Sequence, residues 1–182
     1  MNIIDTPIAD VKLIRPTVFS DERGHVFEAF QQDRYQQLLG IQHSFVQDNS
    51  VYSSQGVLRG LHFQTEQPQG KLIRVSQGSI FDVAVDIRLN SPTYGQWYST
   101  ILSADNHLQL WIPPGLAHGF LTLSKHAVCE YKLTDYYNPA AEYCLAWNDP
   151  TLNIKWPTNE PLLSTKDRLA KTLNNLYQNT AQ

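Results

Sequence analysis

The sequence predicts a mainly β protein, folded as a small antiparallel barrel or sandwich of the jelly-roll kind with a few short helices. Three observations carry that prediction. Short alternating apolar runs recur along most of the chain, with turn residues between them. Segments with helical spacing are few and short. Aromatic residues make up 11% and charged residues only 17%, which is the composition of a packed core and not of a disordered chain.

The elements follow in order. Val11 to Val18 reads as a strand. Asp33 to Leu39 is a short helix stopped by Gly40. Ser44 to Val51 alternates, which puts Phe45, Gln47, Asn49 and Val51 on one face. Val57 to Phe63 follows. Lys71 to Val75 and Ser79 to Ile87 are joined through Gly78, a turn residue. Gln96 to Leu102, His107 to Ile112, Gly119 to Leu123 and Ala127 to Leu133 complete the strands. Pro157 and Pro161 keep the next segment extended. A last helix is marked by Ser164 as its N-cap, with Asp167 three residues on, near a capping-box spacing. Leu169, Leu173, Leu176 and Tyr177 form its apolar stripe.

Pro and Gly are spread along the chain, and no repeat or linker divides it. Its 182 residues are therefore expected to form one domain, residues 1–182, long enough to bury a core without disulfides. Lys plus Arg number 14 and Asp plus Glu 17, a net charge of −3 that offers no general pull toward nucleic acid or anionic membrane. An anionic ligand must then be held by a local basic cluster. Cys129 and Cys144 make no disulfide framework and read as reduced thiols. The opening MNIIDTPIADVKLIRP has no basic region followed by an apolar one, and no run reaches about 18 apolar residues. The expectation is a soluble cytoplasmic protein.

Several residues could carry chemistry. In Arg59-Gly-Leu-His62 the two polar residues have opposite strand parity, and a bulge at Gly60 would aim both inward. Pro113-x-Gly115-x-x-His118 matches the second half of the cupin metal signature. The matching first half would need His-x-His and a Glu, but His62 is followed by Phe63 and Gln64. A catalytic metal takes about three protein ligands, so the pattern reads as a cupin that has lost its metal. Lys71 shares a face with Ile73 and Val75, where an ammonium needs an anionic partner. Ala127, Cys129 and Tyr131 share another face, two small residues leading to one phenol. Each has a plainer reading: a surface Arg, a hydrogen-bonded core His, a Lys that reaches out of a strand end, a core Tyr, and for Asp167 a helix N-terminal acid.

Together these segments resemble the dTDP-4-dehydrorhamnose 3,5-epimerase family over nearly the whole chain. The matching elements are Asp21-Glu-Arg-Gly24 with Glu28, Phe45-Val-Gln-Asp-Asn49, Val57-Leu-Arg-Gly-Leu-His-Phe-Gln64 and Gln69-Gly-Lys71. They continue with Phe81-Asp-Val-Ala-Val-Asp-Ile-Arg88, Ser91-Pro-Thr-Tyr-Gly-Gln-Trp97, Gln109-Leu-Trp-Ile-Pro113 and Ala117-His-Gly-Phe120. Tyr131-Lys132, Tyr136-Tyr137, Trp147-Asn-Asp149 and Lys166-Asp167 close the series. The chain departs from the family at His25-Val26 and Leu116, where aromatic residues are often found.

The resemblance implies a cupin fold, no metal or redox cofactor, and epimerisation at C3 and C5 of a dTDP-4-keto-6-deoxyhexose on the route to dTDP-L-rhamnose and surface polysaccharides such as O-antigen. It also implies a homodimer with strands shared between subunits. Under it His62 is the base, Asp167 its partner, Lys71 the group facing the enolate oxygen and Tyr131 the acid. Arg23 and Arg59 match the diphosphate clamp and Tyr137 the position that stacks on thymine. Gln47, Asp48, Asn49, Glu28, His118, Glu142 and Lys166 match further ligand contacts, and Phe19 a wall position. Other readings stay open: an enzyme that inverts only C3 or only C5, a metal-dependent cupin oxygenase, or a cupin that binds a sugar nucleotide without reaction.

Overall fold

The computed structural model describes residues 1–176. Its strands are β1 (Asn2–Asp5), β2 (Lys12–Arg15), β3 (Val18–Asp21), β4 (Gly24–Phe27), β5 (Gln47–Ser54), β6 (Leu58–Gln64) and β7 (Lys71–Gln77). They continue with β8 (Ser79–Asp86), β9 (Trp97–Ser103), β10 (Gln109–Ile112), β11 (Leu116–Thr122), β12 (His126–Leu133) and β13 (Glu142–Cys144). The helices are α1 (Gln32–Leu39), α2 (Thr165–Arg168) and α3 (Leu173–Leu176). None of the described helices is long and apolar enough to cross a membrane.

Two antiparallel sheets make the jelly roll. One has the order β1-β2-β10-β7-β12-β5 and the other β13-β6-β11-β8-β9. A main core lies between them. Leu13, Ile73, Leu110 and Cys129 of the first sheet meet Ile80, Ala84, Leu102 and Phe120 of the second. The outer faces are also covered. Tyr35 and Leu39 of α1 pack with Ile14, Leu72 and Trp111 on the first sheet. Leu145, Leu152, Trp156 and Leu173 from the C-terminal quarter pack with Leu61, Val83 and Leu121 on the second. Each fully buried side chain of this kind stabilises by about 1.5–3 kcal/mol. Both faces of both sheets are therefore apolar in places, which explains why strands such as β8 read as nearly continuous apolar runs.

The strand between Val11 and Val18 divides at Pro16, which has no N–H for a ladder. β2 stays in the six-stranded sheet, while β3 pairs with β4 as a separate hairpin. The C-terminal helix divides too. After α2, Leu169 is 77% exposed and Lys171 accepts the Ala146 N–H at 2.8 Å. Asp149 then receives the Leu173 N–H at 2.6 Å, which starts α3 in a new position. Tertiary hydrogen bonds override the 3.6-residue spacing there. Tyr177 lies outside the described residues.

One irregularity shapes the interior. Along β11 and β6, His118 pairs with His62, but Phe120 pairs with Arg59, so β6 carries an extra residue. Gly60 in this bulge has φ +120°. A Cβ on it would sit 2.5 Å from the Cα of Gly119, so both positions need glycine. The bulge cancels the parity difference, and Arg59 and His62 both reach the interior, as the sequence suggested.

Candidate active site

Towards one end of the barrel the packed core gives way to a cavity of about 390 Å³. The five-stranded sheet supplies Arg59, His62 and His118, and the six-stranded sheet supplies Gln47, Asn49, Lys71 and Tyr131. Tyr137 and Glu142 complete the polar lining.

His62 is the best-anchored of these groups. Its Nε2 lies 2.6 Å from Asp167 Oδ1. Asp167 is placed by α2, where Ser164 acts as the N-cap and its Oγ accepts the Asp167 N–H at 3.1 Å. The same hydroxyl donates to Asp167 Oδ2 at 2.8 Å. Cys144, opposite His62 in the β13–β6 register, donates its thiol to Oδ1 at 3.3 Å. Burial would raise the Asp167 pKa, but hydrogen bonds from His62, Ser164 and Cys144 and the His62 charge outweigh it and hold the carboxyl below its usual range. Burial pushes the Cys144 thiol up, helped by Asp167, so it is a donor and not a thiolate. An ionised Asp167 keeps the imidazole proton on Nε2 and leaves Nδ1 as the nitrogen able to accept one.

Lys71 is buried, with its Nζ donating to the His62 carbonyl oxygen at 3.2 Å. Burial lowers its pKa to about 8, opposed by the charges of Asp82 and Glu142. His118 donates through Nε2 to Asp82 Oδ2 at 2.9 Å. Burial lowers its pKa against the pull of Asp82, which favours a neutral ring. Burial also raises the Tyr131 pKa, so its phenol keeps its proton. His62 and Tyr131 belong to opposite sheets and approach the cavity from opposite sides.

The polar wall is tied together. Gln47 Nε2 donates to Asn49 Oδ1 at 2.9 Å, as their shared strand face requires, and Gln47 Oε1 accepts the Tyr137 N–H at 2.9 Å. Tyr137 donates its hydroxyl to Glu142 Oε2 at 2.7 Å, and Lys166 pairs with the same carboxylate. Arg59 Nε donates to Ser53 Oγ at 2.9 Å.

The structure does not bring every expected residue to this cavity. Phe19 and Arg23 sit on the β3–β4 hairpin around a separate cleft, where Phe19 is 66% exposed and Arg23 pairs with Asp21. Glu28, paired with Arg34, and Asp48, paired with Lys132, line a larger cavity of about 570 Å³ on the outer side of the six-stranded sheet. Asn49 and Tyr131 line both cavities. The larger one holds none of His62, Lys71 and His118, so the titratable groups suited to proton transfer face the smaller. Sequence reasoning missed Cys144, Asp82 and the second bond from Ser164. Asp82 had a signal: an acid in the middle of an apolar strand needs a buried partner.

A family model described as dTDP-4-dehydrorhamnose 3,5-epimerase matches residues 5–175. A dTDP-4-dehydrorhamnose 3,5-epimerase of Salmonella typhimurium is 52% identical over 96% of this chain and 96% of its own length. One from Neisseria gonorrhoeae is 54% identical over 94% of this chain, which spans only 52% of that longer relative. The solved structure of dTDP-6-deoxy-D-glucose-3,5-epimerase from Legionella pneumophila, in complex with dTDP-4-keto-L-rhamnose, superposes with a TM-score of 0.94 at 54% identity. That match covers 96% of this chain and 94% of the other.

Proposed function

The chain belongs to the dTDP-4-dehydrorhamnose 3,5-epimerase family, and we infer from that premise that it converts dTDP-4-dehydro-6-deoxy-D-glucose to dTDP-4-dehydro-L-rhamnose. It is an isomerase of cupin fold, acting at C3 and C5. The observation that carries the mechanism is the opposition of His62 and Tyr131 across one cavity, with Lys71 buried in its wall.

Both target carbons lie next to the C4 ketone, so loss of either proton gives an enolate. His62 takes the proton through Nδ1, and Asp167 on Nε2 fixes the ring and stabilises the imidazolium, as in a serine-protease dyad. The Lys71 ammonium faces the oxygen where negative charge develops. Tyr131, a phenol on the other side, returns a proton to the opposite face and so inverts the centre. His118, held neutral by its burial, contributes a ring nitrogen to substrate binding.

Arg59 holds the diphosphate and Tyr137 stacks on thymine, with Gln47, Asn49, Glu142 and Lys166 at the polar wall. Arg23, Phe19, Glu28 and Asp48 complete the nucleotide side from outside this cavity. We propose a homodimer in which the β3–β4 hairpin of one protomer serves the cavity of its partner. The exposure of Phe19 at 66% and Val26 at 68% on that hairpin supports this. We further propose one domain over residues 1–182, a cytoplasmic location, no metal or redox cofactor, and a product that enters O-antigen or a related polysaccharide.

Conversion of the 4-keto sugar to an L-configured product, followed by NMR, tests the reading. Recovery of unchanged sugar rejects it. Exhaustive chelation should leave turnover intact. Turnover lost on chelation and restored by zinc, iron or nickel would identify a metal enzyme instead. Arg59→Ala should weaken dTDP binding by roughly 1.5–3 kcal/mol, the loss of one charge-assisted contact. Calorimetry showing unchanged dTDP affinity would take Arg59 out of the site.

A further inference from the structure

Cys144 has no part in the proton transfers just described, although it touches their key carboxylate. We propose that His62, Cys144 and Asp167 form a three-ligand site for a soft divalent cation of the zinc class, and that filling it switches the epimerase off. The inhibitory half of this rests on the function proposed above.

His62 Nε2, Cys144 Sγ and an Asp167 carboxylate oxygen all lie within 4.8 Å of one another, the only described group of three such donors to do so. Two of the separations are short: 2.6 Å from Nε2 to Oδ1 and 3.3 Å from Sγ to Oδ1. A tetrahedral zinc with bonds of about 2.0–2.3 Å sets its ligand atoms roughly 3.5 Å apart, so adjustments of about 1 Å suffice. The scaffold is already in place. The β13–β6 register sets Cys144 opposite His62, and Ser164 holds the other oxygen of Asp167. Thiolate, imidazole and carboxylate together suit zinc and not magnesium or calcium, which prefer oxygen alone. Three protein ligands leave a fourth position for a water molecule.

Occupancy and catalysis exclude each other. The cation takes the Nε2 lone pair, and the ring proton moves to Nδ1. The Cys144 thiol gives its proton to solvent and binds as thiolate. Nδ1 then carries a hydrogen and has no lone pair with which to remove one from C3 or C5. The Asp167 charge is spent on the cation and no longer stabilises an imidazolium. The loss therefore falls on kcat.

Cobalt(II) titrated into the full chain gives the direct readout, through its thiolate charge-transfer band in the near ultraviolet. Cys129 is fully buried, so the band reports Cys144. The expected results are one cation per chain, one proton released in weak buffer, and zinc inhibition that a chelator reverses. Cys144→Ala and Cys144→Ser, each compared with its own metal-free rate, should lose the band and bind zinc on the order of tenfold or more weaker. Absence of the band in the parent overturns the site, as does equal zinc affinity in both variants. A band with undiminished turnover at full occupancy overturns the inhibition. A band in a chain that shows no metal-free epimerisation keeps the site and removes the epimerase reading, so the two failures are distinguishable.

Discussion

His62→Ala is expected to lose epimerisation and solvent exchange together, at C3 and at C5, by about 10²–10⁴-fold. The basis is the 2.6 Å contact between Nε2 and Asp167, which leaves Nδ1 as the base toward the cavity. Tyr131→Phe should separate the two readouts. The phenol stands on the opposite sheet and returns a proton from the other side. Without it His62 can still form the enolate and give the proton back to the same face. Deuterium should therefore enter from heavy water at one carbon or both while inverted product falls sharply. Phe keeps the ring, so packing changes little. Exchange and inversion falling in parallel would assign Tyr131 to enolate formation and count against this division of labour.

Lys71→Met should lower kcat by about 10²–10³-fold, the cost typical of removing one donor from a developing oxyanion. The same residue should set the alkaline limb of the pH profile. Burial holds Lys71 at about 8. As pH rises through that value the ammonium loses its proton, and kcat/KM, which reports the free enzyme, should fall. Stability moves the other way. Between about 8 and the usual 10.5 the unfolded chain holds a proton that the folded chain lacks, so this group's contribution to stability rises with pH across that window. An alkaline limb near 8 that persists in Lys71→Met would assign it to another group.

The β architecture was legible because turn residues punctuate short apolar runs, and eight of the runs became strands with shifts of a few residues at their ends. The run from Val11 to Val18 covers β2 but only the first residue of β3, and β1, β4 and β13 were not visible. β1 has four residues, β4 belongs to an exposed hairpin, and β13 has three residues whose partners in β6 lie far away in sequence. The bulge at Gly60 was legible, since a glycine between two polar residues of opposite parity is the place for one. Gln47 with Asn49 followed from alternation alone. The pairing of His62 with Asp167 did not, because 105 residues separate them and only the docking of α2 joins them. The resemblance to a family supplied that pair. Cys144 escaped both routes: its sequence neighbourhood is a short edge strand, and its partner is a carboxylate from another element.

The central claim is that one cavity inverts two carbons through enolates formed by His62. Incubation with dTDP-4-dehydro-6-deoxy-D-glucose in heavy water, read by NMR, tests it most directly. The account predicts deuterium at both C3 and C5 of a product with the L-rhamno configuration, and neither exchange nor product with His62→Ala. Deuterium confined to one carbon, with the other proton retained, would contradict the double inversion. Exchange undiminished in His62→Ala would contradict the base.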